Sequence, residues 1–234
     1  MISFDNLQLD PGTLLLLSKI DIDFAFQPIF HISTGSIFAY ESLIDPNEST
    51  VKNIVEQYEV STKLHILELA TLFGSVKRFL EHGKSENLCI NSFASEILTP
   101  HESQVFFEDV ARTLRGRLVI DLMNHNFFSP LTWQIKRNQL RSQNASIVLD
   151  DFSPNFDHLP AFNVFEPDYV KLDRCYIENI RNSNHRDKID RIVEFYHSYG
   201  AKVMIEGIET AEEYEYIKHT PIDFAQGNYL GKPI

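Results

Sequence analysis

The stretch Ser146-Ile147-Val148-Leu149-Asp150-Asp151 is a short, largely β-branched and apolar run that ends in two acids. The same pattern returns along the chain: SIFAYE ends at Glu41, NLCIN at Asn91, RLVID at Asp121, YVKLD carries Lys171 and Asp173, and KVMIE ends at Glu206. A helix-like segment separates most of these repeats. Buried strands account for the apolar residues but not for oxygen-bearing side chains returning at each carboxyl end. In a parallel barrel those ends share one rim, where the loops build the active site. The pattern therefore predicts an α/β fold, a TIM-like (β/α)8 barrel.

Working outward, residues 24–30 and 37–44 flank a turn at 31–36 that contains Gly35, and they read as a hairpin, which makes the first strand antiparallel. Further strands are expected at 87–91, 117–122, 146–152, 169–173, 202–208 and 224–230. Helices are expected at 13–19, 51–58, 62–82 with Gly83 as the stop, 101–114, 131–143, 176–199 and 211–219. Residues 155–167, with Pro160 and Pro167, read as a loop. A doubly wound open sheet fits less well, because the ligand candidates are spread over many strands rather than gathered at one switch point. Residues 1–20 read as a lead-in and 21–234 as a single barrel domain.

With 234 residues, 43% of them hydrophobic and including 18 Phe and 9 Tyr, the chain can bury one large core. The formal charge of −12 and the lack of a basic stripe argue against duplex nucleic acid as a partner. The Leu14 to Leu17 run is too short to span a bilayer, so no membrane insertion and a cytoplasmic location are expected. Cys89 and Cys175 lie apart without metal-ligand spacing and read as buried reduced thiols. The nine histidines show no HxxxH or HExxH spacing, which argues against zinc. Trp133 needs nothing beyond core packing.

Carboxylates and an amide on one rim suit hard divalent cations. Adjacent Asp150 and Asp151 could serve two ions about 4 Å apart, the arrangement that clamps a phosphodiester and activates water. Lys171 could orient that water or stabilise charge in the transition state.

The motifs Gln27-Pro28-Ile29, Glu41-Ser42-Leu43, Asn91, Asp150-Asp151-Phe152, Val170-Lys171-Leu172-Asp173, Glu206-Gly207-Ile208-Glu209-Thr210 and Gln226-Gly227 follow one another in an order that resembles the EAL domain family, from Phe24 to Pro233. The resemblance implies a cyclic di-GMP phosphodiesterase that forms the linear dinucleotide with two Mg²⁺ or Mn²⁺ ions. It implies that Glu41, Asn91, Asp121 and Asp150 surround the first ion and that Asp151 serves the second. Lys171 and Glu206 would contact or position the water, with Asp173, Glu209 and Gln226 supporting the metal shell. Gln27, Leu43 and Asp45 fall at substrate-facing or supporting positions. The family's habit of pairing makes a homodimer compatible with this chain, as is a protein partner.

The departures from the family pattern are specific. Ser42 replaces Ala in the name motif. Asp121 stands where Glu is usual, and one methylene fewer shortens its reach by roughly 1.5 Å, whereas a metal bond tolerates about 0.2 Å. Asn124 replaces a Glu that steadies the loop after the paired acids, and that loop reads Ser153-Pro154-Asn155 where glycines are usual. Asp45 replaces an Arg that grips a substrate phosphate, a change of about 1 to 4 kcal/mol per charge pair at 4 Å. Three readings follow: a metal-dependent cyclic di-GMP hydrolase with weakened substrate binding; a catalytically inactive regulatory domain that binds cyclic di-GMP or a protein partner; and a metal hydrolase of another phosphodiester.

Overall fold

The computed structural model describes residues 2–46, 58, 63–123, 129–150, 162, 164–177 and 183–234. In chain order the elements are α1 (Pro11–Leu17), β1 (Ile22–His31), β2 (Ile37–Pro46), α2 (Leu64–Glu81), β3 (Asn87–Phe93), α3 (Pro100–Gln104), β4 (Leu118–Met123), α4 (Pro130–Ser142), β5 (Ser146–Leu149), β6 (Tyr169–Leu172), α5 (Ser183–Ser198), β7 (Lys202–Ile205), α6 (Ala211–Ile217) and β8 (Phe224–Gln226). The eight strands close into a barrel in chain order. β1 runs antiparallel to both β2 and β8, and the other neighbours pair in parallel, as the hairpin reading predicts. An open doubly wound sheet is thereby excluded.

Strand alternation fills the barrel in layers. Ile29, Ala39, Cys89, Val119, Val148, Met204 and Phe224 form the apolar interior. Against this layer pack His31, Phe38 and Tyr169, which interlock with Phe224, the Phe38 and Phe224 ring centroids lying 4.4 Å apart. The outer faces of the strands pack against the helices in two larger apolar clusters. Trp133 is buried there, and its indole N–H donates to the Val164 carbonyl at 2.9 Å.

Three sequence expectations need correction. Residues 101–114 do not form one helix: Thr99 and Glu102 make a capping box that starts α3 at Pro100, then the chain widens into a π-turn at Val105–Val110 and tightens into a 3₁₀ turn at Arg112–Leu114. Buried Phe106 and Leu114, eight residues apart, still fit the i, i+8 spacing of an apolar helix face, so periodicity alone does not reveal the change of pitch. The segment expected to be helical from 176 instead begins with a 3₁₀ turn at Arg174–Tyr176, capped by Asp173. Neither cysteine forms a disulfide, but Cys175 on that turn is exposed rather than buried. All but the last residue of the expected helix at 51–58, and most of the loop at 155–167, fall outside the described residues.

His65, in the first turn of α2, faces Glu96 through Nδ1 at 3.3 Å and Glu102 through Nε2 at 3.1 Å. The Glu96 bond leads the causes that raise the imidazole to about 9 from 6.5, while both carboxyls are lowered from 4.5. A raised histidine contributes its stability fully below 6.5 and loses it as pH rises through 9, whereas the lowered carboxyls lose theirs as pH falls below 4.5. The triad is therefore fullest near pH 5 to 6. With a side chain 32% exposed, screening leaves about 1 kcal/mol. His65→Gln is expected to unfold about 1 kcal/mol more easily than the parent at pH 6 and equally at pH 10. A His65 ring titrating near 6.5 by NMR would refute the triad in solution.

Candidate active site

The period of two that builds the interior also builds the mouth. Two residues beyond Ala39, Cys89, Val119, Val148, Tyr169, Met204 and Phe224 stand Glu41, Asn91, Asp121, Asp150, Lys171, Glu206 and Gln226, all towards the carboxyl rim. On antiparallel β1 the count reverses, so Gln27 precedes Ile29 by two and pairs in register with Glu41. Asn91 and Asp121 are likewise direct partners across β3 and β4.

Lys171 is the hub of this mouth. Its Nζ lies 3.0 Å from Glu41 Oε1, 2.9 Å from Asp121 Oδ2, 3.4 Å from Glu206 Oε2 and 3.9 Å from Asp150 Oδ1. Gln226 Nε2 donates to Glu41 Oε2 at 2.6 Å and to Gln27 Oε1 at 3.2 Å. Asn91 Nδ2 donates to the Ser42 carbonyl at 3.2 Å and more weakly to Glu41 Oε1 at 3.4 Å. Gln27 Nε2 in turn donates to the Gly231 carbonyl at 3.0 Å.

Four carboxylates around one ammonium are formally three negative charges in excess when all are ionised, and burial sharpens the effect. Burial opposes charge on Lys171, yet Asp121, Glu41, Asp150 and Glu206 together hold its pKa well above the ordinary value. Burial likewise works against the Glu41 anion, but Lys171, Gln226 and Asn91 keep that carboxyl below the usual range. Asp121 is fully enclosed, and burial, with Asp150 and Glu41 adding repulsion against Lys171, pushes it up to about 7. Glu206 is raised chiefly by burial. A single family of carboxylates is thus split into strong and weak acids, a signature of functional sites.

Asp121 Oδ1 is buried and has no hydrogen-bond partner among the described residues. An unsatisfied buried carboxylate oxygen is costly, and a hard cation would relieve both that and the excess charge. Among the described residues no three His, Cys, Asp or Glu side chains form a ready cage, because the carboxylates converge on the ammonium instead. The donor chemistry fits a divalent ion, provided Glu41 and Asp121 turn from Lys171 to receive it.

The loops beyond β7 and β8 close on each other. Gly207 has φ +79°, and a Cβ there would lie 2.8 Å from Arg174 Cβ. A Cβ on Gly227 would fall 2.1 Å from the Ile208 carbonyl oxygen, so left-handed backbone explains the first glycine and close backbone packing the second. Arg174, which sequence reading passed over, binds the Gly207 carbonyl, Glu209 at 3.2 Å and Glu213 at 3.1 Å.

Not every expected residue joins the mouth cluster. Asp173 accepts the Cys175 N–H at 2.7 Å as a cap, and Glu209 is an exposed partner of Arg174. Asp45 is exposed at the end of β2, opposite Asp23, and Leu43 is half-buried. Asn124, Asp151, Ser153, Pro154 and Asn155 lie outside the described residues.

The sequence model of the EAL domain family matches residues 14–233. The chain is 21% identical over 227 residues to the probable cyclic di-GMP phosphodiesterase PdeB of Escherichia coli K12, covering 92% of this chain and 43% of that protein. It spans about half or less of the length of the curated relatives it matches. Among solved structures, the fold resembles a standalone versatile EAL protein from Vibrio cholerae O395 in its c-di-GMP-bound form, with TM-score 0.81, 19% identity and coverage of 92% of this chain and 93% of that one. It also resembles Klebsiella pneumoniae BlrP1 in a manganese and cyclic di-GMP complex, with TM-score 0.74, 20% identity and coverage of 97% and 58%.

Proposed function

The chain belongs to the EAL domain family, and from that premise we propose that its barrel mouth hydrolyses one phosphodiester of cyclic di-GMP to give the linear dinucleotide. The observation that carries this reading is the convergence of Glu41, Asp121, Asp150 and Glu206 on buried Lys171, with Asn91 and Gln226 beside them. Glu41, Asn91, Asp121, Asp150 and Asp151 would hold two Mg²⁺ or Mn²⁺ ions. When bound, the ions neutralise the diester and lower the pKa of the attacking water.

The remaining work falls to this chain's own groups. Glu206, whose raised carboxyl suits a proton acceptor, takes a proton from water. Lys171, charged throughout the working range, orients the water and faces the developing charge. One P–O bond forms and one breaks, and the leaving ribose oxygen takes up a proton. Gln226 and Gln27 hold Glu41 in place. The test is release of linear dinucleotide by the purified chain with Mn²⁺ and its loss with chelator; no product at high enzyme concentration would defeat the reading.

A second reading, a non-catalytic regulatory domain, draws on exposed Asp45. At an exposed position, exchanging repulsion for attraction is worth about 1 kcal/mol on each side, or roughly tenfold to thirtyfold in affinity. Asp45→Arg is therefore expected to tighten binding of a non-hydrolysable cyclic di-GMP analogue about tenfold by calorimetry. Unchanged or weaker binding would show that Asp45 does not face the phosphate. No helix among the described residues is long and apolar enough to cross a membrane. A cytoplasmic location belongs to the proposal, as does a homodimer or protein partner outside the mouth.

A further inference from the structure

The inner face of α2 is apolar except at Glu68, Thr71 and Ser75, all buried. Glu68 and Ser75 are two turns apart and share that face. Each grips the strand residue that follows a mouth residue. Ser42, next to Glu41, donates its hydroxyl to Ser75 Oγ at 2.8 Å. Ser92, next to Asn91, donates to Glu68 Oε1 at 2.6 Å, and the Phe93 N–H donates to Glu68 Oε2 at 3.0 Å.

Lys136, reaching in from α4, completes the arrangement. Its Nζ donates to Glu68 Oε1 at 2.8 Å, to the Phe93 carbonyl at 2.7 Å and to the Glu96 carbonyl at 2.8 Å. All three ammonium donors and both carboxylate oxygens are used. The adjoining cavity, walled by Leu72, Phe106 and Leu140, is about 10 Å³, room for one water at most. A buried ion pair of this kind seldom adds stability over well-packed apolar side chains. What it does add is direction: because neighbours on a strand face opposite ways, fixing the Ser92 side chain on the helix side, with the Phe93 backbone N–H held beside it, fixes how Asn91 enters the mouth.

We propose that Glu68 and Lys136, assisted by Ser75, are positioning residues that set the geometry of the Glu41 and Asn91 pair towards a divalent ion. This rests on the metal reading above. A rigid outer support of this sort typically governs metal affinity by about tenfold or more. It also explains how Asn91 can serve a metal although its own bonds to Ser42 and Glu41 are long.

The test is the double variant Glu68→Leu with Lys136→Met, which removes both charges together, read by Mn²⁺ calorimetry and by the Asn91 side-chain amide in NMR without metal. Retained cooperative unfolding, Mn²⁺ affinity weaker by about tenfold or more, and a shifted or broadened Asn91 amide pair are expected. Wild-type affinity together with an unshifted amide would overturn the proposal. Should the double variant not fold, Glu68→Gln decides alone: weaker uptake and a displaced amide support it, and wild-type values for both overturn it. If the unaltered chain takes up no Mn²⁺, the metal reading fails, while the metal-free amide still shows whether Glu68 directs Asn91.

Discussion

Lys171→Met is expected to destabilise the metal-free barrel by about 3–5 kcal/mol, the usual result of leaving a buried charge without its partner. For a chain of this length that is roughly 10 °C in Tm. The reason is local. Glu41 and Asp121 each bind the ammonium at hydrogen-bond distance, and their side chains are 6% and 1% exposed. Without Nζ, the Asp121 carboxylate loses the partner of Oδ2 while Oδ1 already has none among the described residues. The variant has one escape, which is to protonate Asp121.

Burial already holds that carboxyl up at about 7, above its ordinary 3.8, and removal of Lys171 raises it further. An acid whose folded pKa is raised subtracts stability as pH climbs above the unfolded value, until the folded pKa is passed. The deficit of Lys171→Met is therefore expected to be smallest near pH 4 and to widen up to pH 8 and beyond. Divalent ions binding only the folded state should recover part of it by mass action. Denaturant unfolding from pH 5 to 9, with and without Mn²⁺, measures all three effects. Parental stability at pH 8 in the absence of metal would show that the buried charge cluster does not form in solution.

Glu41→Ala should do the reverse, leaving the fold nearly intact and abolishing turnover. Each partner of Glu41 keeps another bond: Gln226 retains Gln27 at 3.2 Å, Asn91 retains the Ser42 carbonyl at 3.2 Å, and Lys171 retains Asp121 at 2.9 Å. One of four crowded carboxylates is also removed, so a stability change within about 2 kcal/mol is expected. Hydrolysis should fall at least a thousandfold, which is about 4 kcal/mol of transition-state stabilisation. Equal turnover by Glu41→Ala and the parent would defeat the proposed chemistry, and metal-dependent turnover that this variant abolishes would remove the regulatory reading. The two substitutions together separate the charge that holds the mouth together from the charge that does the work.

The sequence displays this site because strand geometry is local. Glu41, Asn91, Asp121, Asp150, Lys171 and Glu206 each end an apolar run, and the two-residue period puts them on the interior face whatever the helices do. Asp173 and Glu209 show how far the same rule misleads. They stand two or three residues beyond Lys171 and Glu206, where the chain has turned away into the loops; one becomes a cap and the other pairs with Arg174. The π-turn at Val105–Val110 leaves no mark in the sequence because one extra residue in a turn barely disturbs apolar spacing.

By itself the sequence determined the closed barrel, its antiparallel first strand and the residues that gather at its rim, because alternation and turn chemistry act between near neighbours. Only the tertiary structure decided that Lys171 stands at the centre of the carboxylates, that Asp121 and Glu206 are driven towards neutrality, and that Glu68 and Lys136 brace Asn91 from behind. Those outcomes depend on groups up to 130 residues apart meeting at about 3 Å, and on how completely water is shut out where they meet. Neither the separation nor the dielectric is written in any local pattern, since both arise from how the helices pack against the closed sheet.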